Sequence, residues 1–231
     1  FNASLPPGLG TGEYKGCVFT EYPHLNHPSL ESLVARCHEL HDEDPRRAPT
    51  ILFIREGAHV VNGDYLEINY PLKIVGAGQD KTIVHGGFKI EGTKEEGKRV
   101  NMQGMTMKGS SQSGLEATSG LSFLCKDMTF TQCCAYGVRA YNTKGRLINC
   151  VITQCGCSGI YCEWTALIEL EGDQTKVDGN GTSGEGWHYG LDTSYTSSTI
   201  HLLFPLTKES VSTNNHEGRN YCPETEGTSY G

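Results

Sequence analysis

A glycine ruler limits what this chain can fold into. Gly114, Gly137, Gly159 and Gly190 are spaced by 23, 22 and 31 residues, and their surroundings keep step. Met102-Gln-Gly-Met-Thr-Met-Lys-Gly-Ser110 lies over Cys125-Lys-Asp-Met-Thr-Phe-Thr-Gln-Cys133, and that over Leu147-Ile-Asn-Cys-Val-Ile-Thr-Gln-Cys155. The second halves align as Ser113-Gly-Leu-Glu-Ala117, Tyr136-Gly-Val-Arg-Ala140, Ser158-Gly-Ile-Tyr-Cys162 and Tyr189-Gly-Leu-Asp-Thr193. A unit of about 22 residues cannot bury its own apolar face, so such units stack. Strand alternation then assigns sides. Leu115, Val138, Ile160 and Leu191 form one buried column, Ala117, Ala140, Cys162 and Thr193 a second, and Met107, Phe130 and Ile152 a third on another strand. Asp127 and Asn149 share a turn position, where short polar side chains satisfy backbone groups.

The organisation predicted along the chain is an extended arm over 1–27, a helix with stacked coils over 28–206, and a polar tail over 207–231. Helix starts near Pro28, and Leu30, Leu33, Val34 and Cys37 make one apolar stripe, suited to cover the open end of a stack. His38 and His41, beside Glu39, share that helix without a further ligand motif and read as surface residues. The long 31-residue interval holds Asp178-Gly-Asn-Gly-Thr-Ser-Gly-Glu-Gly186, a loop thrown out from one corner. After Leu206 apolar residues nearly cease, so the tail reads as a strap or an assembly contact.

Charge removes some functions. A formal net charge of −8 with no basic run argues against nucleic acid, and a mean hydropathy of −0.41 without a long apolar run argues against a membrane-spanning helix. Of ten cysteines, Cys133, Cys150 and Cys155 fall at repeat positions and read as small core residues. Cys17, Cys37 and Cys222 lie outside the repeats and are the disulfide candidates. Asn2 and Asn180 sit in N-glycosylation patterns. With Phe1 in place of an initiator Met, these features point to a processed chain with an extracellular or secretory history, or one on the surface of a larger particle.

The order of helix, strand, glycine turn and Pro71-Leu-Lys-Ile-Val-Gly-Ala-Gly78, followed by the coils, resembles the pectin-lyase-like superfamily. That resemblance covers about residues 28 to 206 and implies an all-β fold, a right-handed single-stranded parallel β-helix of about 22–23 residues per coil with an N-terminal capping helix. Thr199-Ile-His-Leu-Leu-Phe-Pro-Leu-Thr-Lys-Glu-Ser210 also resembles uncharacterised β-helix repeat proteins of microalgae and large algal viruses, which implies no chemistry. Tyr189-Gly-Leu-Asp192 is similar to motifs of polygalacturonases and alginate epimerases. The companion acidic residues of the former are missing, and the epimerase Pro and His are replaced by Thr193 and Ser194.

If the Leu115 column points inwards, Glu116, Arg139, Tyr161 and Asp192 form an exposed line, with Tyr141, Glu163 and Ser194 two positions on and Trp187, His188 and Tyr189 in the adjoining loop. Aromatic faces beside carboxylates suit sugar rings, which offer C–H faces for stacking and hydroxyls for hydrogen bonds. The reading is therefore a non-catalytic module binding polysaccharide, or a partner protein in a larger assembly, through Glu116, Arg139, Tyr141, Tyr161, Glu163, Trp187, Tyr189 and Asp192. The alternative is a lyase or epimerase on acidic glycans using Arg139, Glu163, His188 and Asp192. No cofactor or metal is expected under the first reading; Ca²⁺ enters only with a lyase, and no acidic cluster is spaced as a calcium loop.

Overall fold

The computed structural model describes residues 17–93, 97–194 and 197–222. Asn2 lies outside them. The chain is an all-parallel β-solenoid whose strands pair with the equivalent strand of the next turn. Register follows the sequence alignment: Leu66, Phe88, Leu115, Val138, Ile160 and Leu191 stack in one column. Leu52, Ile74, Met102, Cys125, Leu147, Leu170 and Leu202 form another across the core. The third passes through Val84, Met107, Phe130, Ile152, Val177 and Ser212. These side chains are buried, so the core is a set of ladders in which each side chain stacks on the equivalent residue one turn away, apolar on apolar except where Ser212 meets Val177 at the last turn.

Corners repeat as faithfully as strands. Gly104, Asp127, Asn149 and Gly172 all have positive φ, as do Gly109, Gln132, Gln154, Gly179 and Asn214 at the next corner. Turning the chain there needs a left-handed residue, which explains the alternation of Gly with Asn, Asp and Gln. The Gln132 amide donates to Gln154 at 3.2 Å, tying two turns together. The ruler glycines have another cause. Their φ is ordinary, but a Cβ at Gly137 would collide with Ile152 Cγ2, at Gly159 with Val177 Cγ1, and at Gly190 with Ser212 Oγ. They mark a corner where backbone meets the opposite side of the core without room for a side chain.

Under that corner runs a ladder of Cys133, Cys155, Asn180 and Asn215, all nearly solvent-free. Cys155 N–H donates to Asn180 Oδ1 at 3.1 Å, while Asn180 Nδ2 donates to the Ile152 carbonyl at 3.0 Å and to Asn215 Oδ1 at 3.1 Å. Asn180 is thus an interior rung. The residue is 2% exposed and the nitrogen that would carry a glycan is committed inside, which corrects the glycosylation expectation there. Of the disulfide candidates, Cys17 and Cys37 are free thiols, and Cys37 is buried in the helix against Tyr70, where it has no cysteine partner.

The helix, Leu30–Glu43, starts at Ser29, whose hydroxyl accepts from Ser32 N–H at 3.2 Å in a reciprocal capping box. Leu30, Leu33, Val34, Cys37 and Leu40 close the first end of the stack. Each such side chain removed from water contributes roughly 1.5–3 kcal/mol. His41 stacks on Tyr70 at 4.5 Å and His38 meets it edge-on at 5.5 Å, so both belong to the packing of this end. Both ends of the stack extend past the expected bounds. Phe19–Tyr22 pairs with Ile51–Ile54 as an earlier rung. Residues 207–222, expected as a polar tail, continue the solenoid: Val211 and Ser212 enter the core and Tyr221 bridges to Leu191. Residues 223–231 lie outside the described ones.

Candidate functional site

Four short strands, Leu115–Thr118, Val138–Tyr141, Ile160–Glu163 and Leu191–Ser194, present their alternate residues outwards. Register puts Glu67, Lys89, Glu116, Arg139, Tyr161 and Asp192 in one line along the axis, with Thr118, Tyr141, Glu163 and Ser194 in the neighbouring line. Arg139 sits between two carboxylates, with Nε 2.7 Å from Glu163 and Nη1 3.3 Å from Glu116. Glu116 also accepts from the Tyr65 hydroxyl at 3.1 Å. The side chains of Glu163 and Glu116 are only 12% and 15% exposed, so the arginine neutralises charge that water reaches poorly.

Asp192 departs from the expected exposed line. It is 7% exposed, lying beneath the aromatic residues at the last turn. Ser158 Oγ donates to its Oδ2 at 2.6 Å and accepts the Tyr189 N–H at 3.1 Å. Burial pushes the Asp192 carboxyl up to about 6; the Ser158 hydrogen bond opposes that rise and the charge of Glu163 adds to it. Such a group changes its protonation just below neutral pH.

Around it lies an open cleft of about 340 Å³, lined by Tyr136, Tyr161, Trp187, His188 and Tyr189 with Asp192, Thr193, Ser194 and Cys222. Tyr136 and Tyr161 stack with centroids 4.7 Å apart, His188 meets Tyr136 edge-on at 6.1 Å, and Trp187 stands 66% exposed beside His188. The loop carrying Trp187 is held by Gly181, Thr182 and Ser183, whose N–H groups donate to carbonyls at Cys155 and Gly156. His188 is 5% exposed and its Nε2 is 3.3 Å from Glu185, so its ring is part of the wall.

The structure therefore gathers Tyr161, Trp187, His188, Tyr189 and Asp192 at the cleft, and places Arg139, Glu163 and Glu116 in an ion triad beside it. Tyr141 sits at the far end of its strand, against Trp164 at 5.9 Å. Sequence reasoning missed three participants. Tyr136 and Ser158 occupy the position before the ruler glycine, as Tyr189 does, and that shared offset is the signal that marks them. Cys222 arrives from beyond the repeats and carried no such signal. Among the described residues no group of three or more His, Cys, Asp or Glu is placed to hold a metal ion, and no helix is long and apolar enough to cross a membrane.

No family model matches the chain, and no curated protein matches it. Among solved structures it is similar to the catalytic domain of a GH87 alpha-1,3-glucanase in complex with tetrasaccharides, with a TM-score of 0.56 at 14% identity over 87% of this chain. The chain spans only 38% of that domain. Geobacillus virus E2 ORF18 aligns over 71% of this chain and 33% of its own at 18% identity, with a TM-score of 0.41. At such identities the glucanase likeness establishes a shared β-helix fold.

Proposed function

We propose that this chain binds carbohydrate at the aromatic cleft without transforming it, and that the sugar it takes is neutral. The observation that carries this reading is a set of aromatic rings surrounding a buried carboxyl in a cleft with no lysine or arginine among the described residues of its lining. Pyranose rings stack their C–H faces on such rings, and their hydroxyls pair with Asp192, Ser194 and the tyrosine hydroxyls. Anionic glycans fit poorly. Arg139, the nearest cation on the line, is already held by Glu116 and Glu163, so a uronate carboxylate arriving here meets Asp192 and Glu163 without a free counter-charge. The same pairing weakens the lyase or epimerase reading, whose Arg139 would have to leave two carboxylates to neutralise the substrate. Hydrolysis needs two carboxylates free to exchange protons; here one is bound to Ser158 and the other to Arg139.

The test is a panel of neutral and uronate oligosaccharides titrated against the wild type and Tyr161→Ala, with lyase and hydrolase assays alongside. The expected outcome is binding of a neutral sugar without turnover, weakened at least tenfold by Tyr161→Ala, about 1.4 kcal/mol. Turnover of any polysaccharide that disappears in Asp192→Asn overturns the non-catalytic reading.

A further inference from the structure

We infer that the side of the solenoid carrying Arg99, Lys126 and Lys144 is a second ligand surface, and that it takes a sulfated polysaccharide. It is built on other strand segments than the aromatic cleft and does not depend on how that cleft is read.

The face is formed by Lys73–Gly76, the opening halves of Arg99–Lys108 and Ser122–Thr131, and the strands Lys144–Ile148 and Leu167–Glu171. Register lays its outward residues in three columns: Arg99, Ser122, Lys144 and Leu167; Lys73, Asn101, Leu124, Arg146 and Glu169; Val75, Gln103, Lys126, Ile148 and Glu171. These columns hold five cations, Lys73, Arg99, Lys126, Lys144 and Arg146, against two carboxylates, Glu169 and Glu171, on a chain whose formal net charge is −8. Both carboxylates are taken by Arg146. Arg99, Lys126 and Lys144 are exposed and form no ion pair with any described residue. The stack supplies Arg139 and Arg146 with carboxylates one rung away, so three cations on consecutive turns without one depart from its own pattern. Like charges placed together cost stability, and a positive field on an otherwise acidic molecule draws an anion from outside.

A groove of about 330 Å³ opens between two of these cations, with Arg99, Ser122, Lys144, Gly145, Arg146 and Glu169 in its walls. Gly145 lies over Phe123, where a Cβ would collide with the ring, so backbone lines the groove at that rung. Arg99 and Lys144 flank Ser122 from one rung on either side, their Cα atoms about 10 Å apart, and Lys126 stands roughly 13 Å along the strand from Ser122. Two long cationic side chains at that spacing converge on one polyatomic anion, and an anionic group further along the same ligand meets Lys126. A sulfate ester suits the first position better than a carboxylate, because three acceptor oxygens serve two cations at once. Half-buried Leu124, Ile148 and Leu167 lie between the charges and give sugar C–H groups an apolar contact. Other polyanions fit less well. Duplex nucleic acid carries a charge about every 1.7 Å, far denser than this face can match, and no outward residue in the three columns is aromatic to stack a base. None of the large exposed apolar side chains among the described residues lies here, so an anionic bilayer finds no anchor.

The experiment titrates dextran sulfate by biolayer interferometry against the wild type, Arg99→Gln/Lys144→Gln and Arg47→Gln/Lys81→Gln, the last removing the same charge outside the three columns. All four side chains are exposed, so both double variants are expected to fold, with melting temperatures near that of the wild type. The wild type should bind dextran sulfate and not dextran, with an affinity that falls as salt is raised. Arg99→Gln/Lys144→Gln should weaken that binding at least tenfold, Arg47→Gln/Lys81→Gln less than twofold. Equal losses in the two double variants, or a wild type that does not bind dextran sulfate, overturn the surface. So does a loss in Tyr161→Ala with Arg99→Gln/Lys144→Gln unaffected, which would put the anion in the cleft. Tighter binding of polygalacturonate, phosphatidylserine vesicles or duplex DNA, lost in Arg99→Gln/Lys144→Gln, overturns the sulfated ligand.

Discussion

Two arginines on this solenoid have nearly the same partners and opposite surroundings. Arg139 is clamped by Glu116 and Glu163 on the strands that carry the cleft; Arg146, on Lys144–Ile148, contacts Glu171 at 2.7 Å and Glu169 at 3.7 Å on another side of the coil. An outward-facing charge on a parallel stack meets its counter-charge one rung away, so such triads arise from the repeat itself. What differs is water. The carboxylates at Arg139 are 12% and 15% exposed, those at Arg146 38% and 34%. The buried triad adjoins the stacked tyrosines and Trp187; the open one borders a shallow groove lined by Arg99, Lys144 and Leu167. The ion triad is therefore ordinary, and the aromatic shell beside one copy of it is what distinguishes the candidate site.

That contrast can be broken at several points. The largest effect is expected at Asp192, whose carboxyl is raised from its ordinary 3.8 to about 6. In that window the folded chain keeps a proton that the unfolded chain has lost, so stability falls as pH rises from about 4 to 6, and the ionised carboxylate remains a cost above it. Asp192→Asn removes the cost. It should stabilise the protein by up to about 3 kcal/mol at pH 8, with the gain vanishing near pH 4, measured by urea denaturation at both pH values. A gain independent of pH would show that Asp192 is solvated. Next come the paired variants Glu163→Gln and Glu169→Gln. The first should cost about 1–3 kcal/mol because a poorly hydrated Arg139 loses its closest counter-charge, the second less than about 0.5 kcal/mol. Equal losses would erase the distinction between the triads. Arg146→Ala should change least, leaving affinity for a neutral saccharide within twofold by calorimetry.

Much of the scaffold was legible beforehand. The columns of Leu115, Val138, Ile160 and Leu191 and of Met107, Phe130 and Ile152 stand where alternation put them, because strand period two and a constant repeat length together leave one register. The helix stripe of Leu30, Leu33, Val34 and Cys37 is buried as read. Asn180 and the segment after Leu206 were misread for a shared reason. Both look polar, yet each polar group finds a partner one turn away, as Asn180 does in Asn215 and the Asp178 carboxylate in Thr213 at 2.7 Å. Composition says that a group is polar; only stacking says that its hydrogen bonds are already made.

The site divides along the same line. Tyr161, Arg139 and Asp192 were traced to one outward line by counting from the ruler glycines. That Asp192 is buried depends on Ser158 one turn away, on Tyr136 two turns away and on Cys222 from the far end of the chain. The repeat determined the solenoid and the side of the sheet on which each residue falls, since both are matters of period. Which polar residues are dry, and hence which carboxyl titrates just below neutral pH, was decided by contacts between turns, because desolvation depends on neighbours that sequence spacing does not name.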